Sequence, residues 1–268
     1  MWFALVSIEW TRLTRRWLPW VAVALCGLFI GLSLHNYYVL SAADFSSGAV
    51  KLPGLSFDLA TALDQTLVLG APFIVIFGAA LMGDDYTQRT NQHWLLRASR
   101  TTSLLAKVAV LAFLILLWNL ATLLFGGAFG LGYKLWISGG ASVAGVNGLE
   151  TAWALLYMTL VCLPYGVLTL LLALLTRSTF VSAAIGFGYT LVVETLLGAV
   201  FYQSDWIRWL PRSLYLSATY RLNHIGNRVV AVPMTLHEPV TACLLAAGYS
   251  VLLLGIAILW YRRQDVGG

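Results

Sequence analysis

Six apolar stretches divide this chain, and each is long enough to cross a lipid bilayer. A helix that rises about 1.5 Å per residue needs about 20 apolar residues to cross a hydrocarbon core about 30 Å thick. Inside such a core every backbone polar group needs an internal partner, so each crossing is expected to be helical. The predicted spans are residues 17–40, 63–83, 106–132, 151–176, 178–203 and 239–261.

Composition supports the same fold class. Hydrophobic residues make up 60% of the chain and charged residues 10%, whereas soluble domains average about 25% charged residues. Too little polar surface remains to cover a soluble protein of this length. We therefore predict an all-α integral membrane protein, in which residues 1–268 form a single domain of six transmembrane helices. All three cysteines fall inside predicted spans and are interpreted as apolar packing residues.

The distribution of basic residues predicts the orientation. Six crossings put both termini on one side, and cytoplasmic loops carry an excess of Lys and Arg. With cytoplasmic termini, ten basic residues lie on the inner side and six on the outer side. We expect a multi-pass protein of the inner (cytoplasmic) membrane. Its net charge of +5 is scattered over several loops, which favours anionic lipid headgroups over nucleic acid as partners.

The segment before the first span alternates apolar and polar residues between Phe3 and Arg16. This alternation predicts an amphipathic helix that lies along the inner membrane interface. Its charged residues are Glu9, Arg12, Arg15 and Arg16. Arg15 and Arg16 also suit a simpler role as topology signals, and the two interpretations are compatible.

A polar segment, Asp84–Lys107, separates the second and third predicted spans and is too long for a turn. An apolar ridge within it, formed by Trp94, Leu95 and Leu96, predicts a short amphipathic helix parallel to the membrane. Such a helix would fit a groove on a soluble partner. The alternative is that the ridge lies on lipid headgroups. The candidate coupling residues of this segment are Arg89, Thr90, Trp94, Leu95, Leu96, Arg97, Ser99 and Arg100.

The same segment contains, in order, an acidic residue, a Thr, a Leu-Leu pair, a Ser-Arg pair and a Lys, at Asp85, Thr90, Leu95, Leu96, Ser99, Arg100 and Lys107. This order resembles the cytoplasmic loop of bacterial ABC transporter permeases of the exporter-type second family. The opening at residues 9–16, the ending at residues 261–266 and the six-span layout are also similar to that family. The chain departs from the pattern at Arg89, where Gly is common, and at Ala98, where Pro is usual.

The resemblance implies the transmembrane subunit of an ATP-driven exporter. In such transporters the short inner helix, called a coupling helix, docks on a cytoplasmic nucleotide-binding ATPase subunit, and two permease subunits form the substrate pathway. This chain has no GxxxxGK[ST] loop to hold phosphates. The resemblance therefore implies no cofactor in this chain, ATP and Mg²⁺ in the partner ATPase, and a second permease subunit that is identical or related.

Polar residues inside the predicted spans are candidates for the pathway. Glu194 lies within the fifth span, where a charge costs about 3 kcal/mol on insertion scales. It either faces the pathway, or is protonated or reaches toward water on the outer side. Asn119, in the third span, can hydrogen-bond across helices.

The stretch between the last two spans, residues 204–238, is rich in aromatic residues. Trp206, Trp209 and Tyr215 are typical of an interfacial or re-entrant segment on the outer side. We interpret it either as a lid over the pathway exit or as a membrane anchor.

Two other classes of protein compete with a permease. A membrane-embedded enzyme needs converging titratable groups, and a channel or sensor subunit needs a ring of filter residues. The sequence contains no HExxH motif, and we predict neither a catalytic residue nor a metal site. Neither class requires an apolar ridge on the cytoplasmic side.

Overall fold

The computed structural model describes residues 2–41, 45, 52–87, 99–139, 146–201, 204–214 and 237–263. Within these ranges the regular structure is helical. A π-helical turn, Thr66–Gly70, joins α3 to α4, and a second, Gly188–Val193, joins α7 to α8. The helices are α1 (Trp2–Thr14), α2 (Trp17–Leu40), α3 (Leu55–Gln65), α4 (Ala71–Thr87), α5 (Arg100–Ser138), α6 (Gly148–Thr176), α7 (Thr179–Phe187), α8 (Glu194–Val200) and α9 (Pro239–Arg263).

Within the described part of the chain, five helical segments are long and apolar enough to cross a membrane: Trp17–Leu40, Arg100–Ser138, Gly148–Thr176, Thr179–Val200 and Pro239–Arg263. The chain is therefore an all-helical, multi-pass membrane protein. These segments correspond to the first, third, fourth, fifth and sixth predicted spans. The predicted second span, residues 63–83, is not one of these five segments. A π turn divides it, and α4, the helix after that turn, has 17 residues.

Local capping explains where the long helices begin and end. The Ser99 hydroxyl accepts the N–H of Thr102 at 3.2 Å and so caps the first turn of α5. Gly139 follows α5 with a φ of 65°, the left-handed conformation that commonly ends a helix. Arg177 adopts a φ of 54° after α6, and Ser178 then caps α7. The chain therefore reverses direction between α6 and α7 within two residues.

Contacts along the helices define two ends of the molecule. The α1 end contains α1, the last turn of α4, the start of α5, the α6–α7 turn and the last turn of α9. At the opposite end, buried Asp58 of α3 accepts the Tyr38 hydroxyl at 2.7 Å and pairs with Lys134 of α5. The helical run from α3 to α4 thus reaches both ends.

Close helix contact in the core depends on glycine. Helix α4 packs mainly against α6 and α7, and α6 also packs against α9. A Cβ at Gly78 of α4 would overlap the Thr169 hydroxyl and the Gly166 carbonyl oxygen of α6. Small residues of this kind let helix backbones approach closely inside a membrane.

Substitution of this glycine tests the packing. Gly78→Ala is expected to destabilise the protein by about 1–3 kcal/mol, because α4 and α6 must separate to admit the new methyl group. The measurement is the apparent melting temperature of the purified protein in detergent. Gly248→Ala on α9 is the matched control, since a Cβ there meets nothing within 4 Å. Equal melting temperatures for the two variants would contradict the described contact.

Candidate functional site

A buried lysine joins three elements at the α1 end. The Lys107 side chain of α5 is 1% exposed. Its ammonium donates to Glu9 Oε1 of α1 at 2.6 Å and to the Leu81 carbonyl oxygen of α4 at 2.7 Å, and it pairs with Asp85 Oδ2 of α4 at 2.7 Å. Three acceptors match the three N–H donors of an ammonium group. Lys107 is therefore fully satisfied without water.

Two arginines extend this arrangement. Arg12 of α1 hydrogen-bonds to Asp85 and lies 3.8 Å from Glu9 Oε2. Arg16 pairs with Asp84, which also accepts the hydroxyl of Thr179 at 3.0 Å and so connects α7. Three acidic and three basic side chains balance one another in this group, which we call the α1-end charge cluster: Glu9, Arg12, Arg16, Asp84, Asp85 and Lys107.

Burial makes the centre of the cluster, the pair of Lys107 and Asp85, sensitive to the loss of a partner. Partial burial acts to lower the pKa of Arg12, but the hydrogen bond and charge of Asp85, together with the charges of Glu9 and Asp84, outweigh it, so the pKa is raised overall. Removing one partner of a buried ion pair leaves an uncompensated charge and costs about 3–5 kcal/mol. The cluster therefore favours a single arrangement of α1, α4 and α5.

The cluster lies at both stems of the segment that joins α4 to α5. Asp84 and Asp85 stand near the end of α4, and Lys107 stands two turns into α5. The first residue of α5, Arg100, donates to the Tyr261 carbonyl oxygen of α9 at 3.0 Å, and its guanidinium lies 6.0 Å from the centre of the Tyr261 ring. The two stems are thus connected to α1, α7 and α9.

The predicted coupling residues are only partly described. Ser99 caps α5 and Arg100 contacts α9. The others lie outside the described residues, together with the remainder of the predicted coupling helix: Arg89, Thr90, Trp94, Leu95, Leu96 and Arg97.

The N-terminal segment forms a helix over nearly the predicted range. An interfacial helix would turn its charged side chains toward headgroups and water, whereas Glu9 contacts Lys107 inside the protein. Glu9 is 8% exposed and contacts the protein interior, whereas Arg15 is exposed. Sequence reasoning singled out Lys107 and the segment that begins at Asp84, but it did not predict that these two residues pair with Glu9 and Arg16 of the N-terminal segment. The sequence does carry a signal for this pairing, because acids and bases that are buried in so apolar a chain are expected to pair with one another.

A second polar site lies at the π turn between α7 and α8. Glu194 is 1% exposed, and its Oε2 accepts the Tyr165 hydroxyl at 2.7 Å. It faces a cavity of about 150 Å³ whose lining includes Ala71, which directly follows the other π turn. π-helical turns inside α-helices are frequent at functional sites. We call this the Glu194 cavity; its other lining residues are Tyr165, Thr190, Leu191, Glu194, Thr195 and Arg212.

Asn119 does not line this cavity. It is fully buried on α5, and its Nδ2 donates to Thr159 Oγ1 at 3.4 Å. The two candidate pathway residues are therefore not brought together at one site.

The predicted lid or anchor begins with a 3₁₀ turn, Asp205–Trp209. Trp206 and Trp209 are both half-exposed, and Tyr249 of α9 donates to the Trp209 carbonyl oxygen at 3.0 Å. Tyr215 lies outside the described residues. Among the residues that are described, no three His, Cys, Asp or Glu side chains group as a metal site, and the three cysteines are free and buried.

Helices of this length and apolar composition, with charges buried between them, define an integral membrane protein rather than a soluble helical bundle. Residues 27–267 match the family DUF2705, described as a protein of unknown function. That match covers most of the sequence, and the chain belongs to this family. No curated protein matches the chain.

The lysine at the centre of the cluster can be tested directly. Lys107→Met is expected to lower the stability of the purified protein by about 3–5 kcal/mol, because Glu9 and Asp85 would remain buried without their shared partner. A fall in melting temperature and faster proteolysis within α1 are the measurements. Arg15→Met, an exposed site on the turn that follows α1, is the control and should melt like the unmodified protein. Similar behaviour of both variants would show that the cluster is not needed to hold α1.

Proposed function

We propose that this chain is the transmembrane subunit of an ATP-driven exporter. In this proposal its α1 end faces the cytoplasm, and the segment between α4 and α5 docks on a separate ATPase subunit that binds ATP and Mg²⁺. The observation that carries the proposal is the α1-end charge cluster. It ties both stems of the docking segment to one another and to α1.

The cluster suits a role in force transmission. Lys107 contacts Asp85 at 2.7 Å and Glu9 at 2.6 Å. A partner that displaced the segment between Asp85 and Ser99 would therefore displace α1, α4 and α5 together. Pushing on a segment with unconnected stems would deform the loop instead.

The resemblance noted in the sequence gives independent support. Asp85 and Lys107 are the first and last positions of that pattern, and they form an ion pair. Residues 22 positions apart thus share one contact. The pattern at the ends of the segment is consistent with a structural unit rather than a chance order of residues.

The proposal includes six crossings. The run from α3 to α4 serves as the second, since it contacts Lys134 at one end of the molecule and Arg12 at the other. Neighbouring helices cover it, and every described position from Ala79 to Gly83 is buried. A crossing shielded from lipid needs fewer consecutive apolar residues than one that faces lipid.

A second permease subunit, identical or related, completes the proposed pathway. In the most apolar parts of α2 and α9 only 28% of the residues are buried within the chain, so broad apolar faces are available to lipid or to another subunit. Glu194, at a cavity inside the membrane region, is the residue we propose to lie on the pathway.

The apolar ridge of the segment between α4 and α5 provides the decisive test. Leu95→Asp with Leu96→Asp is expected to abolish transport and to remove the ATPase subunit from the complex purified out of native membranes, because two charges prevent an apolar ridge from filling a groove. Protein identification by mass spectrometry gives the readout. The control is Leu149→Asp, an exposed change at the opposite end of the molecule. Retention of a co-purifying ATPase by the double variant would contradict the proposed docking.

Orientation is tested by cysteine labelling. Gln92→Cys, in the docking segment, is expected to react in intact cells with a membrane-permeant maleimide but not with an impermeant one. The native cysteines are buried and should give little background. Ser47→Cys, between the first two predicted spans, is expected on the outer side and should react with both reagents. Labelling of Gln92→Cys by the impermeant reagent would place the segment outside and end the proposal.

A further inference from the structure

The hydrogen bonding of the Glu194 carboxylate is incomplete, although the charge of Arg212 acts on it. Glu194 Oε2 accepts the Tyr165 hydroxyl at 2.7 Å, but Oε1 is buried and has no hydrogen-bond donor among the described residues. The Tyr189 hydroxyl and the backbone of Arg212 lie near the carboxylate, yet neither gives Oε1 a bond of acceptable geometry. A buried oxygen without a donor is costly. The cavity beside Oε1 is therefore suited to a donor from a ligand.

A basic group stands at the rim of the same cavity. The Arg212 guanidinium donates to Thr195 Oγ1 at 2.5 Å. A guanidinium carries five N–H donors, so a hydroxyl partner leaves several for an anionic group. The cavity thus presents a carboxylate oxygen and a guanidinium to one ligand.

The two groups lie close together. Arg212 bonds the hydroxyl of Thr195, the residue that follows Glu194, and Glu194 and Arg212 line the same cavity. A ligand that contacts both groups therefore needs its cation and its anion close to one another. On the same stretch of chain Leu191 and Leu196 are half-exposed apolar residues that suit contact with lipid. The ligand is therefore expected to carry adjacent opposite charges beside an apolar part.

We propose that the Glu194 cavity binds the zwitterionic headgroup of an aminophospholipid, with a primary ammonium donating to Glu194 Oε1 and the adjacent phosphate bound by Arg212. A primary ammonium has three donors, and charge-assisted bonds of this type are among the stronger hydrogen bonds in proteins. A cavity of about 150 Å³ holds a small aminoethyl group. The inference goes beyond the proposed exporter function and does not depend on it.

Methylation of the headgroup tests this without altering the protein. The full-length chain is purified in detergent and its melting temperature is followed as lipid is added. Dioleoyl phosphatidylethanolamine is expected to bind at least about tenfold more tightly than dioleoyl phosphatidylcholine, whose trimethylammonium has no N–H for Oε1. The monomethyl lipid should fall between them. Equal affinities across the series would overturn the proposal.

Two variants assign the effect to the site. Glu194→Gln is expected to abolish the preference for the ethanolamine headgroup, and Arg212→Gln to weaken binding of both lipids about tenfold. Glu238→Gln, an exposed acid just before α9, is the control and should keep the preference. An undiminished preference in Glu194→Gln would refute the site even if the lipid binds elsewhere.

Free O-phosphoethanolamine separates the two sources of this chemistry. Competition with the lipid at millimolar concentration would show that the headgroup alone is recognised. Failure to compete, together with loss of lipid preference in Glu194→Gln, would assign the site to a membrane lipid whose acyl chains add affinity. Competition by phosphocholine as strong as that by O-phosphoethanolamine would contradict recognition of a primary ammonium.

Discussion

The contact on which the α1 end depends is the one between the Lys107 ammonium and its three acceptors. One ammonium group satisfies two carboxylates and a backbone carbonyl that belong to α1 and α4. Apolar residues of similar volume can often match or exceed the stability of such a buried network. Charges differ in that each demands its own partner at hydrogen-bond distance, so they fix the register of three helices. Trp10 of α1 adds an edge contact to Phe113 of α5, with ring centres 5.1 Å apart.

The sequence predicted helices best where an apolar run is exposed to lipid and ends at a charge. Helix α2 covers the predicted residues 17–40 because Arg16 stands directly before it. Helix α5 runs further than the predicted 106–132, since Ser99 and Gly139 cap it beyond its apolar stretch. The two π turns add a residue to a helical turn without changing composition, and no periodicity in an entirely apolar stretch could reveal them.

For the candidate sites, the sequence identified single charged residues but not their partners. An acid inside an apolar run stands out, and Glu194 was therefore identified from the sequence alone. Its donor Tyr165, 29 residues away, was not, since a tyrosine in a membrane span usually needs no explanation. Glu9 was assigned to a surface helix because its neighbours alternate. Its partner Lys107 lies 98 residues further on, and only tertiary packing brings the two together.

The two buried polar sites have complementary properties, and one helix connects them. Around Lys107 every ammonium donor has an acceptor, which leaves little capacity to bind anything and makes that region suited to transmitting displacement. The Glu194 cavity retains a carboxylate oxygen and guanidinium donors, which suits it to recognition. Ala71, the first residue of α4, lines the cavity, and Asp85 of the same helix lies about 21 Å away in the cluster. Movement of α4 along its axis would therefore alter the two sites together.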